Sequence, residues 1–251
     1  MDNIRTMRIF RGIAALLFFC VLSPLCMAGP PYVTDDPEPT DYQHFEIYAF
    51  DQGTNTKTGG SSSSGIDFNY GAAPDLQLTA VMPVEFESPV SGKSVSGMGN
   101  IELAAKYRFL HQDGFGWDVS VFPRVFLPSA SAQVGEHHAS LLLPFWVEKD
   151  WGAWSSFGGG GCAINESRDA KDYCLMGWAL TRQLFPNFQV GAEIYHQTAD
   201  AKGGRATTGI GGGIRYDFTD HYHLLAYAGP GIQNMPQTDR MSWYTSILFT
   251  F

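Results

Sequence analysis

His138 and Ser140 are the residues whose types could supply a nucleophile and its base. On one strand they would stand roughly 7 Å apart in rise, too far for the contact of about 3 Å that activates a hydroxyl. A distant histidine could still serve Ser140, so an outer-membrane hydrolase stays a minor reading, and His137 and His138 read as loop-edge polar residues. His221 and His223 would share a strand face and could bind a metal only with a third ligand. Beside the turn at Thr219 and Asp220 they read instead as residues at headgroup level. The glycine runs at 158–161 and 211–213 lack the Lys-Ser/Thr and the strand-to-helix setting of a phosphate loop. They suit sharp curvature or space left open inside a fold. No motif calls for a cofactor.

Charge carries the stronger signal. Glu46, Asp67, Asp75, Glu85, Glu102, Lys106, Arg108, Asp118, Arg124, Glu148, Glu193, Arg215 and Asp217 all fall, by phase, on the polar face of alternating stretches. In residues 75–86, Leu76, Leu78, Ala80, Met82, Val84 and Phe86 share one face, while Asp75, Gln77, Thr79 and Glu85 share the other. That is period two, the signature of a strand with one apolar side. The pattern returns at 100–109, 117–127, 188–194 and 210–218. Runs of about ten residues suit a tilted strand that crosses a bilayer, whereas strands of soluble sandwiches run nearer five or six.

The connections alternate in length. Long ones are expected at 53–63, 87–96, 128–135, the Cys162 to Cys174 region and 229–240, with a medium one at 199–204. Short ones are expected at 71–74, 111–114, Lys149 with Asp150, Pro186 with Asn187, and Thr219 with Asp220. Short periplasmic turns and longer outer loops are the habit of outer-membrane barrels. Counting between them gives about twelve strands, so the fold class expected is all-β, a transmembrane antiparallel up-and-down barrel over residues 43–251. The stretches 151–163, rich in Gly and Ser, and 173–184, where Arg182 shares a face with Met176 and Trp178, fit least well. Phe109, Phe115, Trp151, Phe185, Phe188, Phe218 and Tyr222 gather at the short turns, as an interfacial girdle would. The last strand puts Trp243, Ile247, Phe249 and Phe251 on one face. An aromatic ending of this kind resembles the signal read by barrel-insertion machinery, which makes that machinery an expected partner through Phe251.

Arg5, Arg8 and Arg11 precede an apolar run at 13–21 that is too short to span a bilayer, and small residues follow. This reads as a secretory signal covering residues 1–28, cleaved after Ala28. Its removal takes away Asp2 and three arginines, so the formal charge moves from -9 to -11, and nucleic acid is excluded as a partner. It also leaves Cys162 and Cys174 as one pair in an oxidising compartment, where a disulfide pinning an outer loop is expected. No later stretch approaches the roughly 20 apolar residues of a membrane helix. Residues 29–42 read as an extended periplasmic segment. Asp35, Asp36 and Glu38 could suggest calcium, but their prolines favour an extended chain lying in the periplasm or folding into the barrel mouth.

The run Gly29-Pro30-Pro31-Tyr32-Val33-Thr34-Asp35-Asp36-Pro37-Glu38-Pro39, followed by Tyr42-Gln43-His44-Phe45-Glu46, resembles the opening of the family named after the meta-pathway of phenol degradation. Tyr70-Gly71-Ala72-Ala73-Pro74-Asp75-Leu76-Gln77-Leu78 and Gly97-Met98-Gly99-Asn100-Ile101-Glu102-Leu103 resemble its strand-turn-strand and its glycine-led strand. The resemblance extends over most of the chain. It implies an outer-membrane transporter or channel, carries over no catalytic residue, and gives no activity on phenol.

The expected function is therefore passive passage of a small, aromatic or amphipathic solute through a monomeric barrel held in outer-membrane lipid. Inward charges such as Glu102, Lys106, Arg108, Arg124 and Arg215 would shape the lumen, since such groups are costly toward lipid but tolerable in a wet or ion-paired interior. The alternative is a non-conducting barrel with a structural or surface-interaction role, favoured if side chains or residues 29–41 close the lumen.

Overall fold

The computed structural model describes residues 31–134, 137–166, 170–235, 238 and 240–251. The expected signal segment lies outside them, as do Gly29, Pro30, Arg168 and Asp169. The strands are β1 (Phe45–Asn55), β2 (Gly59–Ala73), β3 (Leu76–Pro89), β4 (Val95–Met98), β5 (Glu102–Leu110), β6 (Asp118–Val121), β7 (Arg124–Phe126), β8 (Ser140–Trp151), β9 (Trp154–Asn165), β10 (Tyr173–Phe185), β11 (Phe188–Gln197), β12 (Thr207–Asp217), β13 (Tyr222–Gly229) and β14 (Met241–Thr250). A single helical turn, α1 (Gln112–Phe115), joins β5 to β6.

Antiparallel ladders run through every neighbouring pair, with β1 on β14 and β3 on β5, so the sheet closes on itself. The β4 and β5 segments form one crossing interrupted at 99–101, and β6 and β7 form another interrupted at Phe122 and Pro123. Among the described residues, fourteen segments therefore make twelve crossings. Closure pairs the edges that an open sheet would leave bare, which a strand structure in lipid requires.

The two faces are inverted relative to a soluble protein. Leu78, Leu103 and Phe145 are 47%, 47% and 54% exposed, whereas Gln77, Lys106 and Glu148 are 6%, 4% and 1% exposed. Apolar outside and polar inside excludes two stacked sheets around an apolar core, and it is the arrangement of a barrel in hydrocarbon. Phe109, Phe115, Trp151, Phe185, Phe218, Tyr222 and Phe251 are exposed near the short turns. Phe188 is half-buried against Tyr216. Arg182, which broke the apolar pattern of β10, lies over the Trp154 ring at 4.9 Å, so its charge rests on an aromatic face at the short-turn end.

Three connections differ from expectation. The long loop expected at 53–63 is a tight link at 56–58, because β1 and β2 continue as a polar hairpin. Strand segments beyond the hydrocarbon need no apolar face, so their serines resemble a loop in sequence. The short turn expected at Lys149 and Asp150 lies at Gly152 and Ala153, with Gly152 at φ 62. Cys162 and Cys174 are disulfide-bonded, but they sit opposite each other inside the β9–β10 ladder, below the loop rather than at its ends.

Candidate functional site

The site is the lumen, and part of it is filled by the chain itself. Residues 31–41, expected either to extend in the periplasm or to fold into the barrel mouth, run inside the barrel. Glu193 of β11 accepts the backbone N–H groups of Val33 at 3.0 Å and Thr34 at 2.9 Å. Nearly opposite, Lys106 of β5 donates to Asp35 at 3.0 Å, to Asp36 at 3.5 Å and to the Glu38 carbonyl at 3.2 Å. Thr40 donates its N–H to Gln77 at 2.8 Å. The physical reason for this placement is that Glu193 and Lys106 are both buried. A buried charge without partners is costly, and the inserted segment supplies the partners.

Below this contact, toward the short turns, Arg108 donates to Asp75 at 3.1 Å and also meets Glu38 at 3.4 Å and Asp118 at 3.7 Å. His111 contacts the same Asp75 oxygen at 2.8 Å. Partial burial pushes the Asp75 carboxyl up, but the hydrogen bonds from His111 and Arg108 outweigh it and hold the group below its usual range. Within the inserted segment, burial pushes Asp36 up to about 6 against the pull of Lys106. Burial and the Asp36 charge push Glu38 up to about 8 against the pull of Arg108.

On the long-loop side of the segment lies a cavity of about 360 Å³. Glu46, Asp67, Glu102, Lys106 and Arg124 line it, with Tyr48, Phe50, Phe122, Phe126 and Tyr244. The strand register explains the grouping: Tyr48, Asp67, Val81, Glu102 and Phe126 are successive partners across β1, β2, β3, β5 and β7. Arg124 grips Glu102 through two bonds, at 2.6 and 2.9 Å, a geometry that fixes both side chains. Phe122 carries Lys106 at 5.0 Å and Arg124 at 5.3 Å from its ring centre. Asn69, Gln77 and Thr79 form a buried hydrogen-bonded group on the same wall.

The remaining sequence-predicted residues sit elsewhere. Glu85 is half-buried nearer the long loops, close beneath Gly99. Glu148 is buried and accepts the Ser155 hydroxyl. Arg215 and His223 both meet Asp217, at 2.9 and 2.6 Å, forming a separate cluster beside the C-terminal strand. His221 turns away to the Thr250 carbonyl and is exposed, so it does not join His223. Ser140 begins β8 and His138 lies exposed in the loop before it. Period-two spacing points Gln77 and Thr79 inward beside Asp75, but Asn69 joins them only through the β2–β3 pairing.

The family described as "Putative MetA-pathway of phenol degradation" matches residues 42–244. Among solved structures, the barrel is similar to the COG4313 outer membrane channel from Pseudomonas putida F1, with a TM-score of 0.70 at 15% identity, covering 85% of this chain and 99% of that one. It is also similar to the KdgM porin in complex with disordered oligogalacturonate, with a TM-score of 0.55 at 9% identity, covering 83% and 99%. At these identities the likeness is one of fold. Comparison with curated proteins finds no match. With the family match spanning most of its length and a closed twelve-crossing barrel of outer-membrane type, this chain belongs to the MetA-pathway phenol degradation family.

Proposed function

We propose that this barrel is an outer-membrane channel that passes small aromatic or amphipathic solutes by diffusion through its lumen. The observation that carries the reading is a polar, charge-lined cavity of about 360 Å³ enclosed by a wall whose outer face is apolar. The channel and the porin to which the fold is similar support it. Glu102, Lys106, Arg108, Arg124 and Arg215 shape the electrostatics of the interior. Aromatic rings beside carboxylates suit a solute with an apolar body and a polar end. The protein acts as a monomer in outer-membrane lipid and reaches it through insertion machinery that reads Phe251.

Planar-bilayer recording of the full chain tests this. Discrete conductance steps are expected; a silent, correctly folded barrel across salts and pH rules it out. A second reading, a non-conducting structural barrel, is favoured by the inserted residues 31–41, whose bonds to Glu193 and Lys106 cross the lumen. Under the channel reading those residues are a displaceable constriction.

A further inference from the structure

We propose that the cavity above residues 31–41 is a binding site for small organic cations, in particular ammonium compounds with an aromatic or apolar body. This rests on reading the barrel as a solute passage and names the class of solute.

Charge pairing points there. Among the described residues, Asp35, Asp36, Glu46, Asp67 and Glu102 line the cavity against Lys106 and Arg124, while Glu38, also on its lining, meets Arg108. Both cations are already engaged: Lys106 with Asp35 and Asp36, and Arg124 with Glu102. Glu46 accepts the Tyr48 hydroxyl at 3.0 Å and Asp67 accepts the Asn69 amide at 2.9 Å. Neither has a cationic partner within 4.0 Å among the described residues. Asp36, only 1% exposed, also lines the cavity and leaves Oδ2 without a hydrogen-bond partner.

The rings beside these carboxylates add a second attraction. Tyr48 stands across from Asp67 in the β1–β2 register, and Phe50 and Tyr244 are stacked 6.4 Å apart. Aromatic faces hold cations, more strongly where water is excluded, and Phe122 in this cavity already holds two. An anion would meet surplus carboxylate with no cation left to pair. A neutral solute would displace water from Glu46 and Asp67 and return no countercharge. A bare divalent metal fits less well, since among the described residues no three His, Cys, Asp or Glu converge as metal ligands would. The volume lies at the small end of ligand pockets, roughly 300–1,000 Å³.

The test is equilibrium binding to the full chain in lipid nanodiscs, using benzyltrimethylammonium, benzyl alcohol and benzenesulfonate. Saturable binding of the ammonium is expected, about tenfold or more tighter than either comparator and weaker at high salt. Glu46→Gln with Asp67→Asn should loosen it by about tenfold while the barrel keeps its heat-modifiable migration. Equal binding of all three probes overturns the site, as does ammonium binding that the folded double variant leaves intact. Should that variant not fold, the three probes on the unaltered chain still decide. Binding is read without current, so a chain that binds the ammonium yet never conducts retires the passage and keeps the site. Conduction with no preference for the ammonium does the reverse.

Discussion

Where β10, β11 and β12 face the inserted segment, the lumen wall is bare at Gly177, Gly191 and Gly213 and charged at Glu193, whereas along β3 and β5 it is lined by polar and charged side chains. On the bare side a side chain at Gly177 would collide with Thr34, one at Gly191 with Tyr32, and one at Gly213 with Tyr32 and Pro31. On the charged side Gln77, Lys106 and Arg108 reach across to Thr40, Asp35, Asp36 and Glu38. The first side makes room at its glycines and holds the backbone through Glu193, and the second holds by ion pairing. One inserted segment needs both, and the two contributions fail differently.

Removing the pairing should have the largest effect. Lys106→Met strands Asp35 and Asp36 beside an apolar side chain. Breaking a buried pair in this way costs about 3–5 kcal/mol, charged here to the inserted state. Residues 31–41 should become open to protease and hydrogen exchange, and unitary conductance should rise. Filling the bare side should cost less. Gly213→Leu places atoms where Pro31 and Tyr32 lie, an overpacking of about 1–3 kcal/mol, and protection of the segment should fall partway. If the two sides act separately, combining both changes gives the sum within about 0.5 kcal/mol. A larger discrepancy shows that they are coupled.

Raising the pH should loosen the segment more gently. Asp36 and Glu38 have raised values in the inserted state, about 6 and about 8. The inserted state therefore binds more protons than the released one. Its advantage from these groups is complete below about pH 4 and declines as pH rises through about 8. Protection of the amides of residues 31–41, taken relative to their intrinsic base-catalysed exchange, should fall between pH 5 and 9; a flat or rising protection contradicts this. Reducing the Cys162–Cys174 bridge should do least to the lumen. The bridge lies in a ladder already paired on both sides and closes a separation of 12 residues. Conductance should not change, while barrel stability drops by at most ~3 kcal/mol.

The wall of the barrel was legible because each crossing must show lipid one face and the lumen the other. Leu78 against Gln77 and Leu103 against Glu102 express that rule locally. The turn at Pro186 and Asn187 was placed to the residue by its own composition. The turn after β8 was misplaced because Lys149 and Asp150 resemble a turn, while the positive φ needed is met by Gly152. The inserted segment was the least legible part. Its prolines specify an extended chain, but its location depends on Lys106, 70 residues from Asp36, and on Glu193, 160 residues from Val33. No local pattern encodes partners so distant. Asp35, Asp36 and Glu38 are visible as acids in the sequence, yet only the folded lumen places a lysine and an arginine among them.

The most direct measurement is the unitary current through the intact barrel compared with that through a chain lacking residues 31–41. A resolvable current that grows when the segment is removed is the expected result. Identical currents, or silence from both folded proteins, would contradict a lumen built for passage and narrowed by its own N-terminal segment.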